Sequence, residues 1–228
     1  MTDKREYVCI HCMHPCSELY YKFSSEVIRL KECENCGEIV DKYIEYDSVL
    51  IVIDLIIHYS MAYKHFLYNV EKGNFLRLAI IFCFCEAYDK WITERASLLD
   101  AKKVYDLEWI FYKSLIQSST EFVVFTFITW LVDRISSKPR SVRFIAESTI
   151  IGYYGNVAVV LSIIFRLSNE FSYRFGTQVF LLISHIQVQR ALFPKFGFVT
   201  NILIVLVAMG ISSYTGDLVK IFFKSIDS

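Results

Sequence analysis

Two cysteine pairs, Cys9-Ile10-His11-Cys12 and Cys33-Glu34-Asn35-Cys36, are separated by twenty residues. A two-residue gap lets both sulfurs of one turn reach the same ion, and two such pairs 15 to 20 residues apart have the spacing of a zinc site. Zn²⁺ takes four thiolates tetrahedrally with Zn–S bonds of about 2.3 Å, so Cys9, Cys12, Cys33 and Cys36 are the expected ligands. Gly37 supplies the left-handed backbone that such a turn needs. Four cysteines close the coordination sphere and leave no position for water, which makes the site a structural scaffold and not a catalytic one. Two disulfides are the alternative. The leading Met-Thr-Asp-Lys-Arg-Glu offers no apolar signal core, which favours a reducing compartment and free thiols. Cys16, His11 and His14 are spare ligand types nearby and are expected to be unliganded surface residues.

Between the pairs, Leu19–Phe23 and Val27–Leu30 alternate as short strands joined by a turn at Ser24-Ser25-Glu26, the pattern of a zinc ribbon. A module of some 40 residues buries too little core to stand alone, so the metal is expected to supply much of its folding free energy, on the order of 10 kcal/mol.

Beyond the ribbon the chain becomes apolar. Hydrophobic residues make up 54 % and aromatics 16 % of the 228 residues, mean hydropathy is positive, and net charge is zero, which offers nothing to nucleic acid. Ser148–Phe165 and Phe196–Gly216 are uncharged windows of 18 and 21 residues, and Ser114–Val132 carries only Glu121, so all three are candidate membrane spans. Phe175–Gln189 is uncharged but holds Gln178, Ser184, His185 and Gln187; Gly73–Trp91 would have to recruit Arg77 and Glu86 at its ends. The expected fold is therefore a small four-cysteine zinc ribbon (β) followed by an all-α, multi-span membrane domain. Its parts are a ribbon at 1–46, an amphipathic, membrane-associated part at 47–93, an amphipathic linker at 94–113, a transmembrane bundle at 114–216 and a tail at 217–228.

Within 47–65, Asp47, Asp54, His58 and His65 would fall within about 40° of one another on an uninterrupted helix, leaving the rest apolar. Such a stripe suits a helix at the membrane surface. Asp54 and His58, one turn apart, form either its wet edge or a proton relay or second metal site. A second amphipathic stretch runs through Val104, Leu107, Phe111 and Leu115, with Lys102, Lys103, Asp106 and Glu108 opposite.

The order Cys-x2-Cys, twenty residues, Cys-x2-Cys-Gly, then Val40-Asp41-Lys42-Tyr43-Ile44-Glu45-Tyr46-Asp47 and later Phe84-Cys85-Glu86-Ala87-Tyr88, resembles the Arv family of endoplasmic reticulum membrane proteins. The likeness covers roughly the first 90 residues tightly and rests beyond them on hydrophobic segments. It implies a role in lipid homeostasis: moving sterol out of the endoplasmic reticulum, balancing sterol with sphingolipid, and supplying glycosylphosphatidylinositol (GPI) precursors, by helping lipids cross the bilayer. It implies a multi-pass protein of that membrane, extending to the Golgi membrane. It carries over Cys9, Cys12, Cys33 and Cys36 as zinc ligands and no catalytic residue.

No His-x4-Asp follows any of the five histidines, and neither a Gly-x-Ser-x-Gly elbow nor a nucleotide-binding Gly-x4-Gly-Lys-Ser/Thr occurs. The chain is accordingly expected not to be an enzyme. Its expected partners are membrane lipids (sterol, sphingolipid, GPI precursors). One alternative is a noncatalytic adaptor whose zinc module recruits lipid-synthesis partners. The other is a lipid-modifying enzyme using Asp54, His58, Glu86 or Glu121 as acid or base.

Arg134, Lys138, Arg140 and Arg143 crowd one short connection, and basic loops stay cytosolic. Arg190 and Lys195 mark a second such loop, which would place the turn near Asn169 in the lumen. Thiolate ligands require a reducing compartment as well, so the zinc module and the Arg134–Arg143 loop should share the cytosolic side, with an even number of crossings between them. Cysteines introduced singly at Thr2 and Ser137 are expected to label from the same side of sealed microsomes; labelling from opposite sides would break that count.

Overall fold

A computed structural model describes residues 7–24, 27–70, 75–97, 104–136, 139–165, 167 and 170–226. The turn residues Ser25 and Glu26, Lys102 and Lys103 of the second amphipathic stretch, Lys138 of the basic loop and Asn169 lie outside the described residues. Packing divides the chain into two compact units, 1–73 and 74–228.

The first unit begins with two antiparallel ribbons. β1 (Tyr7–Val8) pairs with β2 (Pro15–Cys16), and β3 (Tyr20–Lys22) pairs with β4 (Ile28–Leu30), with Tyr21 opposite Arg29. The second ribbon lies where the alternating residues put it. The first has two residues per strand, too few for any periodic signal. Cys9, Leu19, Cys33 and Val40 form its small buried core.

After a single 3₁₀ turn at Lys42–Ile44 come α1 (Ser48–Ile56) and α2 (Ser60–Lys64), the latter running on into a π-helical turn at His65–Asn69. The continuous surface helix expected here does not form, because the two pieces meet at a bend of 118°. His58 stands at the break with a left-handed φ of 58°. Its N–H donates to the Leu55 carbonyl, and the Tyr59 N–H donates to the Asp54 carbonyl at 2.8 Å. That is the Schellman pattern, in which a left-handed residue just past the C-cap returns two bonds to the last turn; glycine usually fills the place.

The supposed polar stripe is thereby dispersed. Asp54 accepts a 2.7 Å bond from the Tyr43 hydroxyl, His58 Nδ1 lies 2.8 Å from the Tyr63 hydroxyl, and His65 turns to Asp41. A helical wheel assumes an unbroken rotation of 100° per residue, and the left-handed step at His58 ends it.

Asp41 has no exposed surface and joins ribbon to helix. One carboxylate oxygen accepts from the Tyr43 N–H at 3.0 Å; the other accepts from His65 Nδ1 at 2.7 Å and Asn69 Nδ2 at 2.6 Å. An ionised carboxylate has no proton to give, so Nδ1 of His65 carries the hydrogen. Asn69 in turn clasps Val8 of β1, accepting from its N–H and donating to its carbonyl, both at 2.9 Å. Lys64 Nζ donates to the Ile10 carbonyl at 2.8 Å, inside the first cysteine pair.

The second unit is helical: α3 (Phe75–Ser97), α4 (Val104–Ile135), α5 (Val142–Gly152), a 3₁₀ turn (Tyr153–Val157), α6 (Ala158–Phe165), α7 (Phe171–Leu192) and α8 (Phe198–Ile226). Among the described residues, two stretches are long and apolar enough to cross a membrane, Leu107–Ile135 and Phe198–Ser225; α1 and α2 together make a third, bent candidate. The 148–165 window is not one continuous α-helix. Ser141 caps α5 by accepting from the Phe144 N–H, and the helix then breaks into the 3₁₀ turn. Gly152 at the end of α5 and Gly155 within the turn sit against His185, Phe180 and Leu181 of α7, where a methyl group would collide. Close approach of α7, and not hydropathy, shapes this segment.

Removing the Asp41 carboxylate leaves the His65 and Asn69 donors buried and unpaired, which costs about 3 kcal/mol. Asp41→Ala is therefore expected to accelerate amide exchange across residues 7–16 and 65–70 together, with α4 and α8 unchanged; hydrogen-exchange mass spectrometry of the full chain reads both.

Candidate metal centre

The two cysteine pairs fold into the same turn. In the first, the Met13 N–H donates to the Cys9 carbonyl at 2.9 Å and the Cys9 N–H to the His14 carbonyl at 2.9 Å. In the second, Gly37 N–H donates to Cys33 at 2.9 Å and Cys33 N–H to Glu38 at 2.8 Å. Each turn closes on a left-handed residue four positions after its first cysteine, Met13 (φ 63°) and Gly37 (φ 74°). Glycine takes that backbone freely, whereas methionine carries the crowding of Cβ on the carbonyl, of order 1 kcal/mol. Ile10 N–H donates to Val40 at 3.0 Å and Val40 N–H to Lys31 at 2.9 Å, which draws the two turns face to face.

The four sulfurs converge. All lie within 4.8 Å of one another, Cys9 and Cys36 at 3.8 Å and Cys12 and Cys33 at 3.6 Å. A tetrahedron with metal–sulfur bonds of about 2.3 Å has edges of roughly 3.8 Å, so the set fits a tetrahedral ion with little adjustment. The same separations are far beyond the S–S bond of about 2.05 Å, and each of these cysteines is free. Burial pushes the Cys9 thiol up to about 12. Cys12 feels the same push, yet hydrogen bonds from Asn35 and the His14 backbone bring it down to about 6. Thiols of such unequal acidity do not all ionise unaided; a bound cation would hold all four as thiolates, releasing protons as it bound.

Of the spare ligand types, His11, His14 and Cys16 stay outside the four-sulfur set; the Cys16 thiol donates to the His14 carbonyl at 3.5 Å. Asp54 and His58 are engaged in the helix break described above. Glu86 and Glu121 belong to the helical unit, where both reach Lys90, Glu86 at 3.2 Å. What the sequence does not signal is Asp41, Lys64 and Asn69, which tie the metal turns to α2. Lys64 and Asn69 lie 23 and 28 residues beyond Asp41, too far apart for any local pattern to mark them.

A model of the Arv1-like family matches residues 8–188. Among curated proteins, the chain is 30 % identical over 196 residues to Protein ARV1 of Homo sapiens, covering 81 % of this chain and 72 % of that protein. It is 29 % identical over 171 residues to Protein ARV1 of Bos taurus, covering 71 % of this chain and 60 % of the relative's length. A shorter stretch of 62 residues is 45 % identical to Protein ARV1 of Saccharomyces cerevisiae, 27 % of this chain and 19 % of that one. No solved structure matches the chain.

One metal ion per chain is expected, lost when Cys33 and Cys36 are both replaced by serine and retained when Cys83 and Cys85 of α3 are. Acidification should strip the ion, since protons compete for the thiolates. Elemental analysis of the purified chain across a pH series measures all three; a stoichiometry near zero in the unaltered protein contradicts the site.

Proposed function

The chain belongs to the Arv1-like family, and from that premise we propose that it is a noncatalytic, multi-pass membrane protein of lipid homeostasis in the endoplasmic reticulum. The reading extends to sterol export, to the balance of sterol with sphingolipid and to the supply of GPI precursors, through assisted movement of lipids across the bilayer. The ion we assign is Zn²⁺, because an all-sulfur tetrahedral set suits a soft or borderline ion and zinc adds no redox chemistry.

One arrangement in the first unit supports this reading: the metal turns are bonded through Lys64, Asn69 and Asp41 to a bent apolar helix pair. Val49, Leu50, Val52, Ile53, Ile56 and Ile57 of that pair are all exposed, Ile57 to 65 %. A contiguous apolar face of this kind belongs in lipid or against a partner. Zinc holds the ribbon, the ribbon holds the bend, and the bend lies in the membrane. Should the pair cross, it and Leu107–Ile135 give two crossings before the basic loop, keeping that loop and the ribbon on the cytosolic side without enlisting 73–91.

A second reading, recruitment of lipid-synthesis partners, is favoured by the ribbon's outer edge. Phe23 is 70 % exposed, beside exposed Tyr21 and Val27, on a hairpin that has no chemistry of its own.

Cells lacking the protein are expected to accumulate sterol in the endoplasmic reticulum and to deliver fewer GPI-anchored proteins, with no single lipid-synthesis reaction lost. Cys33→Ser with Cys36→Ser should reproduce the defect, whereas Asp54→Asn with His58→Ala should act only through stability. Lipid profiling checks the set; loss of one specific lipid product in the Asp54 and His58 variant would make the chain an enzyme.

A further inference from the structure

In the helical unit, Glu121 lies fourteen residues from either end of the Leu107–Ile135 span, and Ser212 holds the corresponding place in Phe198–Ser225. At 1.5 Å per residue, Glu121 stands about 21 Å from each end of that span, deeper than half of a 30 Å hydrocarbon core. A carboxylate cannot reach water from there along its own short side chain, and an ionisable group at such a depth marks a functional site by default. Gly216 of α8 makes room for it, since a methyl group at that position would collide with the Glu121 carboxyl.

Glu121 borders a cavity of about 260 Å³ lined also by Ser212. Its partners there are Lys90, which bonds both Glu121 and Glu86, and Gln117, which donates to Glu121 at 3.2 Å. Asp89 and Asp217 line the same space and have no ion-pair partner among the described residues. Glu86, Asp89, Glu121 and Asp217 thus share Lys90 within the cavity, with Arg174 of α7 acting on Asp89 from outside its lining, so acidic groups still outnumber basic ones there. A second observation points to a ligand independently of this charge. His185, only 3 % exposed, lines the cavity and makes no hydrogen bond to any described residue, although a neutral imidazole has both a donor and an acceptor to satisfy. The Tyr153 hydroxyl, beside it with ring centroids 4.6 Å apart, is likewise unspent.

We infer that this cavity binds the primary ammonium of a membrane lipid's head group, with His185 and Tyr153 bonding the oxygen atoms next to it. An anionic head group would meet uncompensated carboxylates. A divalent metal would need several ligand atoms close together, and among the described residues only the cysteine set supplies three or more. A sterol brings no charge to balance, and the cavity falls below the roughly 300–1,000 Å³ of pockets that enclose drug-sized ligands, so it admits a head group and not a ring system. This site goes beyond the function proposed above and does not depend on the zinc module.

Aminophospholipids, sphingoid bases and the glucosamine-bearing GPI precursors carry a primary ammonium; the first two are compared directly. The full-length protein in phosphatidylcholine vesicles is offered a trace of photoactivatable phosphatidylethanolamine, and its cross-linked peptides are identified. Labelling is expected within α3, α4, α7, α8 or the Tyr153–Val157 turn, whose residues line the cavity. Unlabelled phosphatidylethanolamine or sphingosine should compete, and the stronger competitor identifies the class. Added phosphatidylcholine, whose quaternary nitrogen has no N–H, should not compete, nor should phosphatidylglycerol.

Glu121→Gln is expected to lower labelling about tenfold, or 1.4 kcal/mol, and Glu94→Gln, which alters an ion pair with Lys220 outside the cavity, to leave it unchanged. Labelling that phosphatidylcholine competes equally, or that persists in a Glu121→Gln protein with an unaltered thermal transition, overturns the proposal. Should Glu121→Gln fail to fold, Tyr153→Phe replaces it: labelling must fall about threefold in that variant, and unchanged labelling overturns the proposal in the same way.

Discussion

Asp41 is a carboxyl group with no exposed surface, and the first unit is organised by the need to satisfy it. Isolating a carboxylate in a protein interior costs several kcal/mol, which close pairing and good hydrogen bonds must offset. Three donors converge on it, from Tyr43, His65 and Asn69. Because His65 and Asn69 lie beyond the helix break, they can reach Asp41 only if the chain has turned back over the ribbon. The bend at His58 and the burial of Asp41 are thus two sides of one constraint. Asn69 extends it to β1 through Val8, and so to the turn that carries Cys9 and Cys12.

An ion in the four-sulfur site and the Asp41 carboxylate would support each other. The core of Cys9, Leu19, Cys33 and Val40 is too small to order these turns alone, and one of them forces Met13 into a left-handed backbone. An ion held by the four sulfurs would stabilise both turns at once. The ordered turn then presents the Ile10 carbonyl to Lys64 and the Val8 backbone to Asn69. Losing either anchor leaves buried polar groups unpaired at the other, which makes the response of the unit cooperative.

The helical unit meets a similar demand with different means. Two of its buried ionisable groups, Glu121 and His185, are admitted by glycines on a neighbouring element, Gly216 and Gly152. In an apolar surrounding, small residues allow backbones to approach closely enough to surround polar groups that lipid could not solvate. That approach explains why 148–165, apolar enough to suggest a single span, is interrupted by a 3₁₀ turn.

The sequence by itself determined the four-sulfur set, the β3–β4 hairpin and the two long apolar helices, because each depends on local spacing: two residues between ligands, alternation along a strand, an unbroken apolar run. It also sufficed for the family, through a specific string at Val40–Asp47. Only the tertiary structure decided what Asp41, Asp54, His58 and His65 do. On a uniform helix, three of them lie on one face with Asp47; in the fold, one left-handed residue sends each to a different partner. It likewise brought Glu86, Lys90, Glu121 and His185 to one cavity from three helices. Contacts between residues tens of positions apart leave no periodic trace in a sequence, since they depend on how completed elements pack and on which buried charges that packing must satisfy.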